Sequence, residues 1–314
     1  MKRTYRASEI VNEGTWRFTT TVPVVGLDIG SRGSKGVLLD GDNIVTVLSP
    51  TGLHMQETAD EILVQLLEAA GVVRSQVGFI VGTGYGRISL EYDDIPYRVV
   101  TEISCHALGA HAAVPGTRTI IDIGWQDSKA IKVDTTTGKV VEFVMNDKCA
   151  AGSGRFLEKA AAILGLDLRD LGQVALNATN PAQISSQCAV FAESEVISLR
   201  ARGARENANE MSANIAAGVH ISTARRVRNL LGRIGIEPPL VFTGGVSNNV
   251  GMWKVLEEEI GARFTPAKID LIFAGALGAA IHAWQSFVAE QGKIPNRKKA
   301  KPAFSEQAGL TLGE

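Results

Sequence analysis

The chain has almost no excess of either charge: 32 lysines and arginines stand against 33 aspartates and glutamates, a formal net charge of −1. That balance gives no pull toward nucleic acid or an anionic membrane surface. Cysteine is scarce, with three residues at positions 105, 149 and 188. An odd number at such wide spacing excludes a disulfide framework and places the chain in a reducing cytoplasm. No apolar run reaches the roughly 18–20 residues of a membrane span, and Met1–Thr21 lacks the apolar stretch of a signal peptide. What remains is an ordinary globular composition, 45% hydrophobic and 21% charged over 314 residues. That length suits two domains of about 150 residues each better than one core.

Two stretches say nearly the same thing. Val25–Leu38 reads VGLDIGSRGSKGVL and Thr119–Lys132 reads TIIDIGWQDSKAIK, with Asp122 falling 94 residues after Asp28. In register both follow D-I-G-x-x-x-S-K: an apolar run, an acid, a glycine, a polar turn, Ser-Lys and a second apolar run. This is a β-hairpin with a polar tip, present twice. A carboxylate at a strand end can hold Mg²⁺ or a water. The glycine admits close approach of a ligand, and the N–H and hydroxyl groups that follow can donate to phosphate. One such hairpin is usually just a turn; two facing tips would clamp a polyphosphate and its metal. The residues so implicated are Asp28, Gly30, Ser31, Arg32, Gly33, Ser34 and Lys35 in the first tip. In the second they are Asp122, Gly124, Trp125, Gln126, Asp127 and Lys129.

Met1–Thr21 is polar and aperiodic and reads as an arm. Val24–Gly30, Lys35–Asp40 and Asn43–Ser49 read as a strand meander. Glu57–Ala70 has a helical apolar period, Val77–Val81 is a short buried strand running into the glycine-rich turn Gly82–Arg87, and Glu102–Val114 is helical. The plan restarts with strands Thr119–Gly124, Ser128–Val133 and Lys139–Met145. Helices are expected over Gly152–Leu164, Leu168–Leu176, Val190–Arg200 and Glu206–Arg233. Strand Leu240–Thr243 and helices near Val250–Ile260 and Leu271–Val288 close the chain. The expected divisions are an N-terminal extension 1–23, a first lobe 24–115, a second lobe 116–291 and a loose tail 292–314.

Two strand–helix lobes that each open with a phosphate hairpin resemble the two-lobed α/β fold of the actin/Hsp70/sugar-kinase ATPases. The third element expected there is an adenosine motif. LVFTGGVSNN over Leu240–Asn249 supplies it, with Gly244 and Gly245 letting the backbone pass against base and ribose. Gly275-Ala276-Leu277-Gly278 reads as packing glycine.

Cys149 lies in NDKCAAGSGRFLE, before a helical run containing Gly152 and Gly154. Cys188 lies in SSQCAVFAESEV, 39 residues on and also just before a helix. Helix starts favour thiolates and anions. One isolated cysteine is best read as a small buried hydrophobe, but two at helix starts with polar flanks point to a metal site. Two ligands per chain suit a centre shared across a two-fold dimer, either an iron–sulfur cubane or Zn²⁺.

At these residues, with TGYGR, TEISCHA and the hairpins, the chain resembles the BadF/BadG/BcrA/BcrD ATPase family from about Val24 to Trp284. That family includes activators of 2-hydroxyacyl-CoA dehydratases and ATP-binding subunits of benzoyl-CoA reductases. The resemblance implies ATP and Mg²⁺ in the cleft, with Asp28, Asp122 and Gln126 serving hydrolysis. It implies a homodimer with one [4Fe–4S] cluster on Cys149 and Cys188 of each chain, and Cys105 left to packing. It also implies a ferredoxin or flavodoxin as donor and an iron–sulfur dehydratase or reductase as acceptor, with neither nucleic acid nor membrane as partner. Where the family reads D-I-G-G-Q-D, this chain carries Trp125 for the second glycine, which adds bulk to the phosphate turn. The competing readings are a small-molecule kinase of the same fold, with Glu102, Glu193 or Glu195 as the available bases, and a nucleotide sensor. The five histidines show no metal-ligand spacing and read as packing or surface residues.

Overall fold

The computed structural model describes residues 1–11, 22–185, 188–203 and 207–291. The first half runs β1 (Lys2–Arg6), α1 (Ala7–Ile10), β2 (Val24–Ile29), β3 (Gly33–Asp40), β4 (Asn43–Pro50), α2 (Met55–Ala70), β5 (Phe79–Thr83), β6 (Tyr97–Val99) and α3 (Glu102–Ala113). The second runs β7 (Thr119–Ile123), β8 (Ser128–Val133), β9 (Val140–Asn146), α4 (Gly154–Leu164), α5 (Leu171–Ala175), α6 (Ala189–Gly203), α7 (Ala208–Ile234), β10 (Leu240–Thr243), α8 (Val250–Ile260) and α9 (Ala274–Gln291). One sheet has the order β1-β4-β3-β2-β5-β6 and the other β10-β7-β8-β9.

Strand alternation divides the core into layers. Val25, Leu27 and Ile29 of β2 pack with Ile62, Leu63 and Leu66 of α2. Val24, Val37 and Val81, on the other face of that sheet, share a cluster with α3, α9 and Ile120, Ile131 and Val241 of the second sheet. Ile121, Ile123 and Phe242 face α4, α7 and α8 instead. Helices α3 and α9 therefore form a middle layer between the sheets. They cross closely because a Cβ at Gly278 would overlap the Cys105 carbonyl, and one at Gly109 the Ala274 carbonyl. The segment Leu271–Glu290 is long and apolar enough to cross a membrane by length and composition, yet 72% of its window is buried here, as befits a core helix.

Three features depart from expectation. The N-terminal arm begins as strand β1, antiparallel to β4 from Lys2↔Val47 to Arg6↔Asn43, and Ala7, Ile10 and Val11 are buried in the middle layer. A polar edge strand lacks the alternation that marks a half-buried one, so K-R-T-Y-R gave no signal. Edge strand β6, parallel to β5, was likewise unmarked. The run after Cys149 begins as a 3-10 turn, Ala150–Gly152, and α4 starts only at Gly154. The expected tail from Gly292 lies outside the described residues.

Candidate functional site

Both hairpins form in the register their shared pattern requires. Asp28 lies across from Lys35 and Ile29 from Ser34; Asp122 lies across from Lys129 and Ile123 from Ser128. The tips converge on a cavity of about 460 Å³ between the lobes. It is lined by Asp28, Gly30, Ser31, Arg32, Gly33 and Lys35 from the first tip, and by Asp122, Gly124, Trp125, Gln126, Asp127 and Lys129 from the second. Gly154, Gly244 and Gly245 complete its far wall. Residues from chain positions more than two hundred apart thus share one polar, glycine-rich chamber of small-molecule size.

The chamber's electrostatics are organised by two lysines. Lys35 Nζ lies 3.5 Å from Asp28 Oδ2. Lys129, almost fully buried, reaches three carboxylates: Asp127 at 2.8 Å, Asp122 at 3.1 Å and Glu102 at 3.1 Å. Burial alone would lower the Lys129 ammonium, but Asp122, Asp127 and Glu102 outweigh it and hold the pKa well above the usual value. Burial would likewise raise Asp122, but His106 and Lys129 prevail and hold it at about 2. Asp127 goes the other way, raised by burial despite Lys129. The second tip therefore presents one firmly ionised carboxylate at a strand end, suited to a divalent cation or an oriented water.

His106 belongs to this site, contrary to the packing or surface role expected of the histidines. Its Nδ1 is 3.3 Å from Asp122 Oδ1 and 3.2 Å from Thr243 Oγ1, and Thr243 also donates to Asp122 Oδ1 at 3.1 Å. Its Nε2 points toward Gly275, where an added Cβ would meet that nitrogen at 2.8 Å and Asp28 Oδ2 at 3.0 Å. The ring thus lies between the two pseudo-equivalent acids, and Gly275 keeps the space that this needs. Sequence offered one faint signal, a histidine four residues after Glu102 and so on the same face of a helix that begins with it.

Not every expected residue lines the chamber. Ser34 is buried with its hydroxyl 2.7 Å from Thr51 Oγ1. Gly152 packs under Arg226, whose Cδ would lie 2.8 Å from a Cβ there. Cys149 and Cys188 are free, half-buried thiols outside the chamber, whereas Cys105 is buried, with its thiol pushed up to about 12 by burial. Cys149 precedes the 3-10 turn that leads into α4. Cys188 sits at the start of α6, where its carbonyl accepts from Ala192 N at 3.0 Å. Among the described residues, no group of three or more His, Cys, Asp or Glu is placed to hold a metal.

A family model built on the BadF/BadG/BcrA/BcrD ATPases matches residues 25–283. The chain belongs to that family. It is 42% identical over 276 residues to the 2-hydroxyisocaproyl-CoA dehydratase activator of Clostridioides difficile, covering 87% of this chain and 98% of that protein. It is 41% identical over 267 residues to the (R)-2-hydroxyglutaryl-CoA dehydratase activating ATPase of Acidaminococcus fermentans, covering 84% and 98%. Among solved structures, the C. difficile activator with bound ADPNP superposes with a TM-score of 0.76 at 41% identity, covering 88% of this chain and 99% of that one. The A. fermentans (R)-2-hydroxyglutaryl-CoA dehydratase component A superposes with a TM-score of 0.77 at 39% identity, covering 85% and 99%. The two-sheet architecture expected from the duplicated hairpins is thus the fold of this ATPase family.

Proposed function

We propose that this protein is an ATP-driven activator that passes low-potential electrons to a partner iron–sulfur dehydratase or reductase acting on acyl-CoA or a similar substrate. In this reading Mg-ATP lies in the chamber, its phosphates between the two hairpin tips. Asp28 and Asp122 hold Mg²⁺ and orient the attacking water, Gln126 stands beside them, and Gly244-Gly245 pass against the adenosine. Hydrolysis alters the angle between the lobes, as in other hinged two-lobed ATPases.

The observation that carries the reading is the pair of thiols. Cys149 and Cys188 are both free, both half-buried and both at the head of a helical segment. Two thiolates per chain are half of a four-thiolate set, and the 3-10 turn after Cys149 packs against α6, the helix that follows Cys188. A second copy of the chain related by a two-fold axis would supply the other half. Val190 and Phe191, next to Cys188, are 68% and 67% exposed, an apolar surface suited to burial in such a dimer. Held there, a [4Fe–4S] cluster would supply a one-electron carrier of low potential, recharged by a ferredoxin or flavodoxin in the cytoplasm.

The kinase reading loses ground because its candidate bases are engaged. Glu102 pairs with Lys129, Glu193 with Lys159 at 2.6 Å, and Glu195 accepts from Ser185 N at 2.5 Å. The decisive experiment is purification under strict exclusion of oxygen, followed by metal and sulfide analysis and sizing. A brown dimer with about four irons and four sulfides per two chains is expected. A zinc-only protein, or a colourless monomer, would overturn the reading.

A further inference from the structure

We propose that Glu158 is a clasp across the mouth of the nucleotide chamber, a single carboxylate that ties the first hairpin tip to the second and limits nucleotide exit. The proposal rests on the chamber being a nucleotide site, and is independent of any iron–sulfur centre.

Arg32 sits in the tip between β2 and β3, Trp125 in the tip between β7 and β8, and both line the chamber. Glu158, on α4, touches both. Its Oε1 lies 2.5 Å from Arg32 Nη1, and its Oε2 accepts from Trp125 Nε1 at 2.6 Å. With one oxygen committed to each tip, neither tip can move away without breaking a charge-assisted bond. The two attachments are unequal. Gly124 and Trp125 are also held by backbone, their carbonyls accepting from Gly154 N at 2.9 Å and Arg155 N at 2.8 Å. The Arg155 guanidinium lies 5.4 Å from the Trp125 ring centroid. The second tip is thereby fastened to the first turn of α4. Arg32, 54% exposed in its side chain, meets α4 through the Glu158 carboxylate, so this ion pair is the part of the clasp that opens. The neighbouring Lys159 bonds Glu193 on α6, so a shift at the clasp also reaches the helix that starts after Cys188.

The test is stopped-flow release of a fluorescent mant-ADP with Mg²⁺ from the full chain, for wild type, Glu158→Gln and Glu158→Asp. Glutamine keeps an acceptor for the indole N–H but drops the charge that holds Arg32; aspartate is one carbon too short to span both tips. Release is expected to be about threefold to tenfold faster in both variants, with thermal melting unchanged. Raising salt is expected to speed release from wild type and to have little effect on Glu158→Gln, a response that a purely structural role would not produce. Release within twofold of wild type, or an unaltered salt response, in folded variants would overturn the clasp alone. A wild-type protein that fails to bind mant-ADP would overturn the nucleotide reading along with it.

Discussion

Thr83 and Thr243 occupy the same station in the two halves of the molecule. Each ends a parallel strand opposite an acid, Thr83 beside Asp28 and Thr243 beside Asp122. Each is followed by a glycine with positive φ, +83° at Gly84 and +91° at Gly244. A Cβ at either glycine would run into the carboxylate of its own half, Asp28 Oδ1 or Asp122 Oδ1. The duplication therefore extends past the hairpins to a Thr-Gly step. Gly244 is the structural twin of Gly84, the glycine in the turn after β5.

Replacing either glycine by alanine strains the backbone, at a cost of about 1–3 kcal/mol, and pushes on a strand-end acid. Gly84→Ala and Gly244→Ala should each weaken nucleotide binding by about tenfold or more in calorimetric titration. Equal affinity in both variants and wild type would show that the two acids tolerate displacement.

Lys129, itself almost fully buried, is the single ammonium that Asp122, Asp127 and Glu102 share. Lys129→Met removes the cation those carboxylates share and should destabilise the chain by about 3–5 kcal/mol, measured by urea unfolding.

Asp122, held at about 2 in the folded chain, has a pH signature of definite sign. A depressed carboxylate contributes stability that is present above its ordinary value and lost as pH falls toward 2. In metal-free protein, wild type should lose roughly 2 kcal/mol more than Asp122→Asn between pH 5 and pH 2. Parallel unfolding curves across that window would contradict the assignment.

His106 acts on the site through Asp122 and Thr243, so His106→Asn should disturb the geometry of reaction more than binding. ATP turnover is expected to fall between about tenfold and a hundredfold with KM changed less than threefold. A rise in KM at constant kcat would make His106 a binding residue instead.

The three thiols should separate chemically. Cys105 is buried and pushed up to about 12, while Cys149 and Cys188 are half-exposed. Alkylation of folded, metal-free protein followed by peptide mass mapping should label the latter two and spare Cys105. Cys149→Ala or Cys188→Ala should remove bound iron and leave nucleotide affinity within about twofold, since neither side chain lines the chamber.

What the sequence determined by itself was everything written in short range. The repeated D-I-G-x-x-x-S-K pattern marked both hairpins and their polar tips, while the structure supplied the cross-strand acid–lysine pair in each. The buried apolar runs marked the central strands, and helical periodicity marked α2. Only the tertiary structure decided what crosses the chain. His106 meets Thr243 over a separation of 137 residues, and Glu158 joins tips from different lobes. Strand β1 hides its role behind polar edge residues, and α9 packs on a sheet made mostly from the other end of the chain. Local patterns select backbone conformation because each turn or strand is stabilised by near neighbours. A site assembled between two sheets depends instead on how separate elements come to rest against one another, and no window of adjacent residues encodes that.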